Sequence, residues 1–208
     1  DGVKIAASSD FDSETGELKN KDVLLLSESQ ADALVKELES GDWTVSTIKE
    51  KPRTSNPRPP FTTSTLQQEA ARKLRISARQ TMRTAQQLYE NGFITYMRTD
   101  STHLSEEAIA GSRQVIQKLY GDDYLPSKAN NYTTKVKNAQ EAHEAIRPAH
   151  RDFRTVQEVQ KTLGEEASKL YDLIWKRTVA SQMTSAKLKQ TAVTIKNQKA
   201  EFRANGQV

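Results

Sequence analysis

The sequence predicts an α+β fold that is mostly helical, in which a helical segment interrupts a strand-rich one. Four prolines between residues 52 and 60 form a stiff, extended connector, which we take as a domain boundary. Helix-start signals recur after this connector, whereas short apolar runs dominate before it. Residues 190–197 then alternate like a strand. The predicted organisation is a strand-rich domain at 1–60, a helical domain at 61–185 and a return to the first domain at 186–208.

The first domain is predicted to contain short strands and one helix. Residues 3–7 and 23–26 are short apolar runs, separated by a stretch rich in Asp, Ser and Gly that predicts a loop. Ser27 and Gln30 form a capping box that begins a helix, and Gly41 ends it. Residues 43–51 predict a longer strand.

The helical domain opens with two capping-box signals twelve residues apart. The first pairs Thr65 with Gln68, and the second pairs Ser77 with Gln80. The second helix is predicted to end at Gly92, where a β segment follows. Two helices, a tight turn and a β segment are typical of a helix-turn-helix with a wing.

The remaining elements are also predicted to be mainly helical. Ser105 begins a helix that reaches about Tyr120, and Thr155 with Glu158 forms a further capping box. Residues 121–138 predict a loop, and Pro148 stops a short helix at 139–147. A long helix is predicted at 165–183, with a buried stripe of Ala167, Leu170, Tyr171, Ile174 and Trp175. In the final strand, Val193 and Ile195 share one face.

Composition excludes several classes of protein. The 208 residues contain no cysteine, which excludes disulfides and thiolate metal sites and agrees with a reducing cytoplasm. No apolar run approaches the roughly 18 residues of a membrane span. No signal peptide is visible, and because the chain begins at Asp1 we expect an excised fragment of a longer protein.

The positive charge is concentrated in one window. The whole chain has a net charge of +4, whereas residues 51–98 contain nine Lys or Arg against only two Glu. This window therefore carries about +7, which predicts a polyanionic partner.

The most informative segment is residues 92–101, GFITYMRTDS. On an extended chain, Tyr96, Arg98 and Asp100 project from the same face. A tyrosine hydroxyl has a pKa of about 10 and is a poor nucleophile until its anion is stabilised. Arginine is always charged and matches phosphate geometry. A tyrosine beside an arginine is therefore a plausible pair for attack on a phosphodiester, and Asp100 is expected to orient Arg98 or to cap a turn.

This segment resembles the bacterial type IA DNA topoisomerases, the topoisomerase I group. The resemblance also rests on SARQTMRTAQQLYENG at 77–92 and EAHEAIRP at 141–148, and it runs in consistent order from about Val3 to about Val193. It implies a winged, helical tyrosine domain inserted in a strand-rich arch domain. It further implies ATP-independent relaxation of negatively supercoiled DNA, through single-strand cleavage and a 5′-phosphotyrosine link. The expected location is the bacterial cytoplasm, at the nucleoid.

The resemblance assigns roles to individual residues. Tyr96 is implied to be the nucleophile, Arg98 to contact either the scissile phosphate or the tyrosine oxygen, and His143 to support the site near the DNA phosphate. Arg147, which a helix would place on the face of His143, is expected to contact the DNA backbone. Four further arginines form either a solvated helix face or, given their number beside the tyrosine motif, contacts with the DNA backbone without base specificity. They are Arg72, Arg75, Arg79 and Arg83. Three aromatic residues can stack on single-stranded bases, although core packing is the favoured interpretation of each: Tyr89, Tyr132 and Phe93.

The resemblance places the magnesium ligands outside this chain. In the family, Mg²⁺ is held by an acidic cluster in a separate domain, so no metal site is expected here. Asp10 and Asp12 have the Asp-x-Asp arrangement that occurs in that acidic cluster. They lie in a predicted loop, however, and we interpret the match as chance. His143 beside Glu141 and Glu144 does not have the spacing of a helical zinc motif.

Two other functional hypotheses remain open. A tyrosine recombinase or type IB enzyme also combines Tyr, Arg and His, but it places a His-x-x-Arg before a late tyrosine, whereas Tyr96 here precedes His143. The second alternative is a non-enzymatic, nucleic-acid-binding helical module. Composition and the helix-turn-helix pattern allow it, although such a module has no need of Tyr-x-Arg. The oligomeric state is not predicted.

Overall fold

The computed structural model of the chain describes residues 2–132, 144–197 and 200–208. It divides the chain into two compact units. The first comprises Asp1–Thr54 and Lys187–Val208, and the second comprises Ser55–Ala186. The fold is mixed α and β, as predicted, with all but one of its longer helices in the second unit.

The first unit begins with two short parallel strands and a helix. Strand β1 (Lys4–Ile5) pairs with β2 (Val23–Leu24). Helix α1 (Glu28–Glu39) follows, and the predicted capping box is confirmed. The Ser27 hydroxyl accepts the backbone N–H of Gln30 at 3.3 Å, and the Gln30 side chain accepts the backbone N–H of Ser27 at 2.9 Å.

A three-stranded sheet completes the first unit, in the order β3-β4-β5. It consists of β3 (Thr44–Ser55), β4 (Ala186–Lys196) and β5 (Glu201–Gln207). Strands β4 and β5 are antiparallel, with Val193 opposite Ala204. Strand β3 continues past its predicted end through Pro52, which an edge strand tolerates because its outer N–H groups need no partner.

The second unit is built around a long central helix. Helix α6 (Glu165–Ser181) packs against α2 (Thr63–Leu74), α3 (Ala78–Glu90), α4 (Glu106–Tyr120) and α5 (Val156–Leu163). The predicted stripe is confirmed for Ala167, Leu170, Tyr171 and Ile174, which are buried, while Trp175 is partly buried against the same core. Burial of these side chains supplies the main driving force for folding this unit.

Two predicted helices of the second unit need correction. Helix α2 is capped by Thr62 with Thr65, three residues before the predicted box of Thr65 with Gln68. The predicted helix at 139–147 lies partly outside the described residues. Its described part, 144–147, is not helical and contains a β-bridge between Ile146 and Phe61.

The chain enters and leaves the second unit at neighbouring points. The Ser185 hydroxyl donates to the Asn56 side-chain oxygen at 2.9 Å. The Tyr132 hydroxyl donates to the carbonyl oxygens of Pro57 and Ser181 at 3.2 and 2.9 Å. The proline-rich connector is therefore fastened to the end of α6. Tyr132 is half-buried in this role, whereas the favoured prediction was core packing.

Candidate functional site

Residues 93–100 place Tyr96, Arg98 and Asp100 on one exposed side of the chain. No strand forms here; Ile94 makes a single β-bridge to Pro148. The alternation expected of an extended segment is nevertheless present. Met97 is 1% exposed and Thr99 is buried, whereas Tyr96 is 44% exposed and Arg98 and Asp100 are exposed. Because Met97 and Thr99 are buried, the side chains of Tyr96, Arg98 and Asp100, which alternate with them, are left in solvent.

Hydrogen bonds hold the backbone immediately before Tyr96. The backbone N–H of Thr95 donates to the carbonyl oxygen of Arg147 at 3.0 Å. The Thr95 hydroxyl donates to the carbonyl oxygen of Ala145 at 2.7 Å and accepts the backbone N–H of Arg147 at 3.0 Å. Thr95 thus joins the tyrosine segment to residues 145–147, which belong to the EAHEAIRP motif.

A second threonine holds the backbone after Tyr96. The Thr63 hydroxyl, at the start of α2, donates to the carbonyl oxygen of Met97 at 2.8 Å and accepts the backbone N–H of Thr99 at 2.9 Å. The backbone N–H of Thr63 donates to the carbonyl oxygen of Thr99 at 2.8 Å. Tyr96 therefore lies between two anchored residues, which is the rigid support that a reacting side chain requires.

The side chains of Arg98 and Asp100 are exposed to solvent. Among the residues that the structure describes, neither side chain makes a hydrogen bond or an ion pair. Arg98 is thus free to bind an anion. The expected contact of Asp100 with Arg98 is not observed, and its role stays a prediction.

Arg147 has a different environment from Arg98. It is 5% exposed, and its guanidinium forms a fork with Glu144, with Nη2 to Oε2 at 2.7 Å and Nε to Oε1 at 3.3 Å. Nη1 donates to the Pro148 carbonyl at 2.9 Å, and Nη2 donates to the Ser105 hydroxyl at 3.3 Å. The guanidinium is therefore occupied inside the protein. Contact between Arg147 and DNA stays a prediction, while its internal bonds give it a structural function. His143 lies outside the described residues.

The other four predicted arginines lie on α2, on α3 and between them, and all are exposed. Arg75 ends α2 in the left-handed conformation, with φ 57°. Arg79 and Arg83 line a groove of 530 Å³ that also contains Glu166. Hydrogen bonds from Thr84 and Gln80, and the charge of Arg83, hold the pKa of Glu166 below its ordinary value.

A compact charge cluster surrounds Glu69 on α2. This buried carboxylate lies 2.7 Å from Arg72 Nη2, 3.3 Å from Lys73 Nζ and 3.6 Å from Arg177 Nη2. The Arg177 guanidinium also lies over the Phe61 ring, 4.2 Å from its centroid. The hydrogen bond from Arg72, assisted by Lys73, lowers the pKa of Glu69 to about 2. Sequence reasoning missed Arg177, because it lies more than 100 positions from its partner.

We expect this cluster to make the free energy of unfolding decrease as the pH becomes acidic. Because the pKa of Glu69 is depressed on folding, its contribution is present above the unfolded value and is lost as the pH falls from about 5 towards 2. The contribution is about 1–3 kcal/mol, since two of the cations are exposed. Chemical denaturation across this range measures the free energy of unfolding, which should vary less with pH for Glu69→Gln than for the unmodified chain. Glu90→Gln, on an exposed turn of α3, is the control; a flattened profile for both variants would contradict the assignment.

The acidic residues near the N-terminus do not fit a magnesium site. Both oxygens of Asp10 accept from Lys4 Nζ, at 2.8 and 2.7 Å. Asp12 accepts the backbone N–H groups of Glu14 and Thr15 at 2.8 and 2.9 Å. These carboxylates stabilise a turn. Over the described parts of the chain, no three His, Asp or Glu side chains come together to hold a metal.

Tyr89 is the site residue whose environment differs most from the sequence prediction. Core packing was expected for it, but its side chain is 41% exposed and its ring lies beside that of Tyr96. The buried face of α3 carries Thr81, Thr84, Ala85 and Leu88. Tyr89 lies at the edge of this face, one turn after Ala85, and its step around the helix from the buried Leu88 turns its side chain towards solvent. Phe93, by contrast, is buried in the core, as predicted.

Comparison with known proteins points to one family. Residues 3–208 match the family model described as DNA topoisomerase. The DNA topoisomerase 1 of Synechococcus elongatus is 53% identical over 206 residues, covering 99% of this chain and 23% of that protein. The DNA topoisomerase 1 of Mycolicibacterium smegmatis is 54% identical over 188 residues, covering 90% of this chain and 20% of that protein.

A solved structure is also similar. Full-length topoisomerase I from Thermotoga maritima superimposes with a TM-score of 0.68 at 36% identity, covering 91% of this chain and 31% of that one. The chain thus spans about a fifth of the length of the curated relatives that it matches.

Proposed function

Because the chain belongs to the DNA topoisomerase family, we propose that it is the tyrosine-bearing part of a type IA enzyme. The parent enzyme would relax negatively supercoiled DNA without ATP, by cleaving one strand, passing a strand through the break and resealing it. The observation that carries this proposal is the exposed Tyr96, held between the anchored residues Thr95 and Met97. It is followed by Arg98, which is exposed and has no partner among the residues that the structure describes.

The proposed chemistry is a phosphodiester exchange. The Tyr96 oxygen attacks phosphorus, the new O–P bond forms a 5′-phosphotyrosine, and the bond from phosphorus to the 3′ oxygen breaks. The tyrosine proton is lost and the departing 3′ oxygen gains one, so protons balance. One ester replaces another, and the bond energy is therefore kept for resealing. Arg98 stabilises the negative charge that develops on the phosphate oxygens.

Other residues would bind the DNA or support the cleavage reaction. Arg72, Arg75, Arg79 and Arg83 are proposed to contact the backbone phosphates of a single-stranded DNA segment, with affinity that falls as salt rises. His143 is proposed to assist near the scissile phosphate. The parent enzyme is proposed to require Mg²⁺, with ligands outside these 208 residues. The chain alone should therefore bind single-stranded DNA weakly and fail to relax plasmid.

The finer fold assignment follows from the same resemblance. We propose that the second unit is the winged, helical tyrosine domain and that the first unit belongs to an arch. The short link of residues 75–77 between α2 and α3 supports a helix-turn-helix. A location at the bacterial nucleoid follows from the proposed substrate. No helix among the described residues is long and apolar enough to cross a membrane.

The principal alternative is a nucleic-acid-binding module without catalytic activity. The exposed arginines on α2 and α3 favour it equally well, because phosphate contact needs no nucleophile. The exposed tyrosine with a supported backbone is what favours the enzyme. A type IB or recombinase reaction remains distinguishable, because those enzymes form a 3′ link.

The polarity of the covalent link tests the proposal. A single-stranded oligonucleotide, labelled in separate preparations at either end, should be incubated with the full-length enzyme that contains this segment, and the reaction stopped with denaturant. We expect the protein to retain the fragment downstream of the break, through its 5′ phosphate. A 3′ link would indicate the type IB class, and the absence of any covalent product would favour the binding module.

A further inference from the structure

The ring of Tyr89 lies against the ring of the proposed nucleophile. The two centroids are 5.2 Å apart and the planes meet at 66°, an edge-to-face arrangement. Distances of 4.5–7 Å with this geometry are those that aromatic pairs prefer. The contact is notable because both side chains are exposed, at 41% and 44%, so no surrounding core forces them together.

Tyr89 comes from a rigid element. It occupies the last turn of α3, next to Leu88, which is fully buried. The helix end is tied to the tyrosine segment, since the N–H of Gly92 donates to the Tyr89 carbonyl and the N–H of Phe93 to the Leu88 carbonyl, both at 2.9 Å. Gly92 has φ 72°, which returns the chain along the helix at little steric cost. Seven residues after Tyr89, the chain thus brings Tyr96 back beside it.

The backbone of Tyr96 is fixed, but its side chain still has rotational freedom. Thr95 and Thr63 hold only the main chain on either side. An exposed tyrosine can occupy three staggered χ1 positions, and only some of them direct the hydroxyl towards a bound phosphate. Among the residues that the structure describes, the Tyr96 hydroxyl has no hydrogen-bond partner that would select one. The Tyr89 ring is the aromatic neighbour that can do so.

We propose that Tyr89 is a positioning residue, which holds the Tyr96 ring in one orientation before DNA is cleaved. This inference rests on the proposed function of Tyr96. The orienting effect is assigned to the aromatic ring of Tyr89 rather than to its hydroxyl, because the contact is between the two rings. Phenylalanine should therefore replace Tyr89, whereas leucine should not, although leucine suits a helix well.

Single-turnover cleavage of a labelled oligonucleotide by the full-length enzyme tests this inference. For Tyr89→Leu we expect the maximal cleavage rate to fall about tenfold, because without the ring contact the productive orientation of Tyr96 becomes a minor one among its rotamers. The oligonucleotide concentration that gives half the maximal rate should stay within about twofold, since no DNA contact is lost. For Tyr89→Phe the maximal rate should recover to within about threefold of the unmodified enzyme.

A matched control is available on α4. Tyr120 is also exposed and pairs with another tyrosine, Tyr124, at 6.1 Å between centroids. Tyr120→Leu removes a comparable aromatic contact and should leave the cleavage rate unchanged. Thermal unfolding of both leucine variants separates positioning from loss of structure, because a merely structural role would lower the melting temperature and would not alter the cleavage rate of the folded fraction.

Every result has a defined meaning. A Tyr89→Leu enzyme with an unchanged maximal rate would overturn the inference. A loss confined to DNA affinity would overturn it too, and would assign Tyr89 to stacking on a DNA base. Equal loss in the Phe and Leu variants would transfer the role to the hydroxyl. If Tyr96→Phe still cleaved DNA, the proposed function itself would fail, whatever the behaviour of Tyr89.

Discussion

Tyr96→Phe should abolish DNA cleavage by the full-length enzyme and leave strand binding nearly intact. The substitution removes one oxygen atom, which is the proposed nucleophile, and retains the ring that faces Tyr89. Without this oxygen no phosphotyrosine can form, and the remaining groups can bind the substrate but cannot exchange its ester. Relaxation of supercoiled plasmid measures the activity, and fluorescence anisotropy of a labelled single strand measures the binding.

Tyr120→Phe is the control for the loss of a tyrosine hydroxyl. It lies on α4, in the same unit, and should relax plasmid at the normal rate. Relaxation by the Tyr96→Phe enzyme would remove Tyr96 as the nucleophile. If binding collapsed together with cleavage, the ring would serve chiefly to hold DNA.

Arg147→Met should cause a large loss of stability in the 208-residue chain. Methionine keeps much of the apolar stem, but the fork to Glu144 and the bonds to the Pro148 carbonyl and the Ser105 hydroxyl disappear. Removing one partner of a buried ion pair costs about 3–5 kcal/mol, and we expect the lower end because Glu144 is partly exposed. The melting temperature should fall by roughly 10 °C.

Arg98→Met provides the comparison. Arg98 is exposed and unpaired among the described residues, so its loss should change the free energy of unfolding by less than about 0.5 kcal/mol. We thus expect the loss of Arg147 to lower mainly the stability of the chain, and the loss of Arg98 to lower mainly the rate of DNA cleavage. A stable Arg147→Met chain would mean that the guanidinium is not needed inside and would restore DNA contact as its main role.

Helix starts were predictable where the signal is local. Ser27, Ser77, Ser105 and Thr155 each cap the helix expected of them, because a cap is a hydrogen bond between residues two or three positions apart. Residues 62–65 offer four hydroxyl side chains in succession, and sequence alone selected the wrong one. The choice of Thr62 agrees with the bonds of Thr63 to Met97 and Thr99, which are long-range in sequence.

The candidate site was predictable only in part. The alternation of apolar and polar residues around Tyr96 was visible in the sequence, and the exposed side of the segment follows from it. The internal position of Arg147 was not visible, since its partner Ser105 lies 42 positions away. A helix at 139–147 was expected because the motif contains good helix formers. In the described part, pairing of Ile146 with Phe61 replaces it, an example of tertiary structure overriding local propensity.

The hydrogen bond between Ser185 and Asn56 has a consequence for protein engineering. The two residues mark the ends of the second unit, and their side chains are 2.9 Å apart. A segment whose ends adjoin can be excised without leaving a gap to bridge, or re-entered at another loop after its ends are joined by a few glycines. Residues 55–186 are therefore a natural cassette for transplantation into a host protein, or for circular permutation.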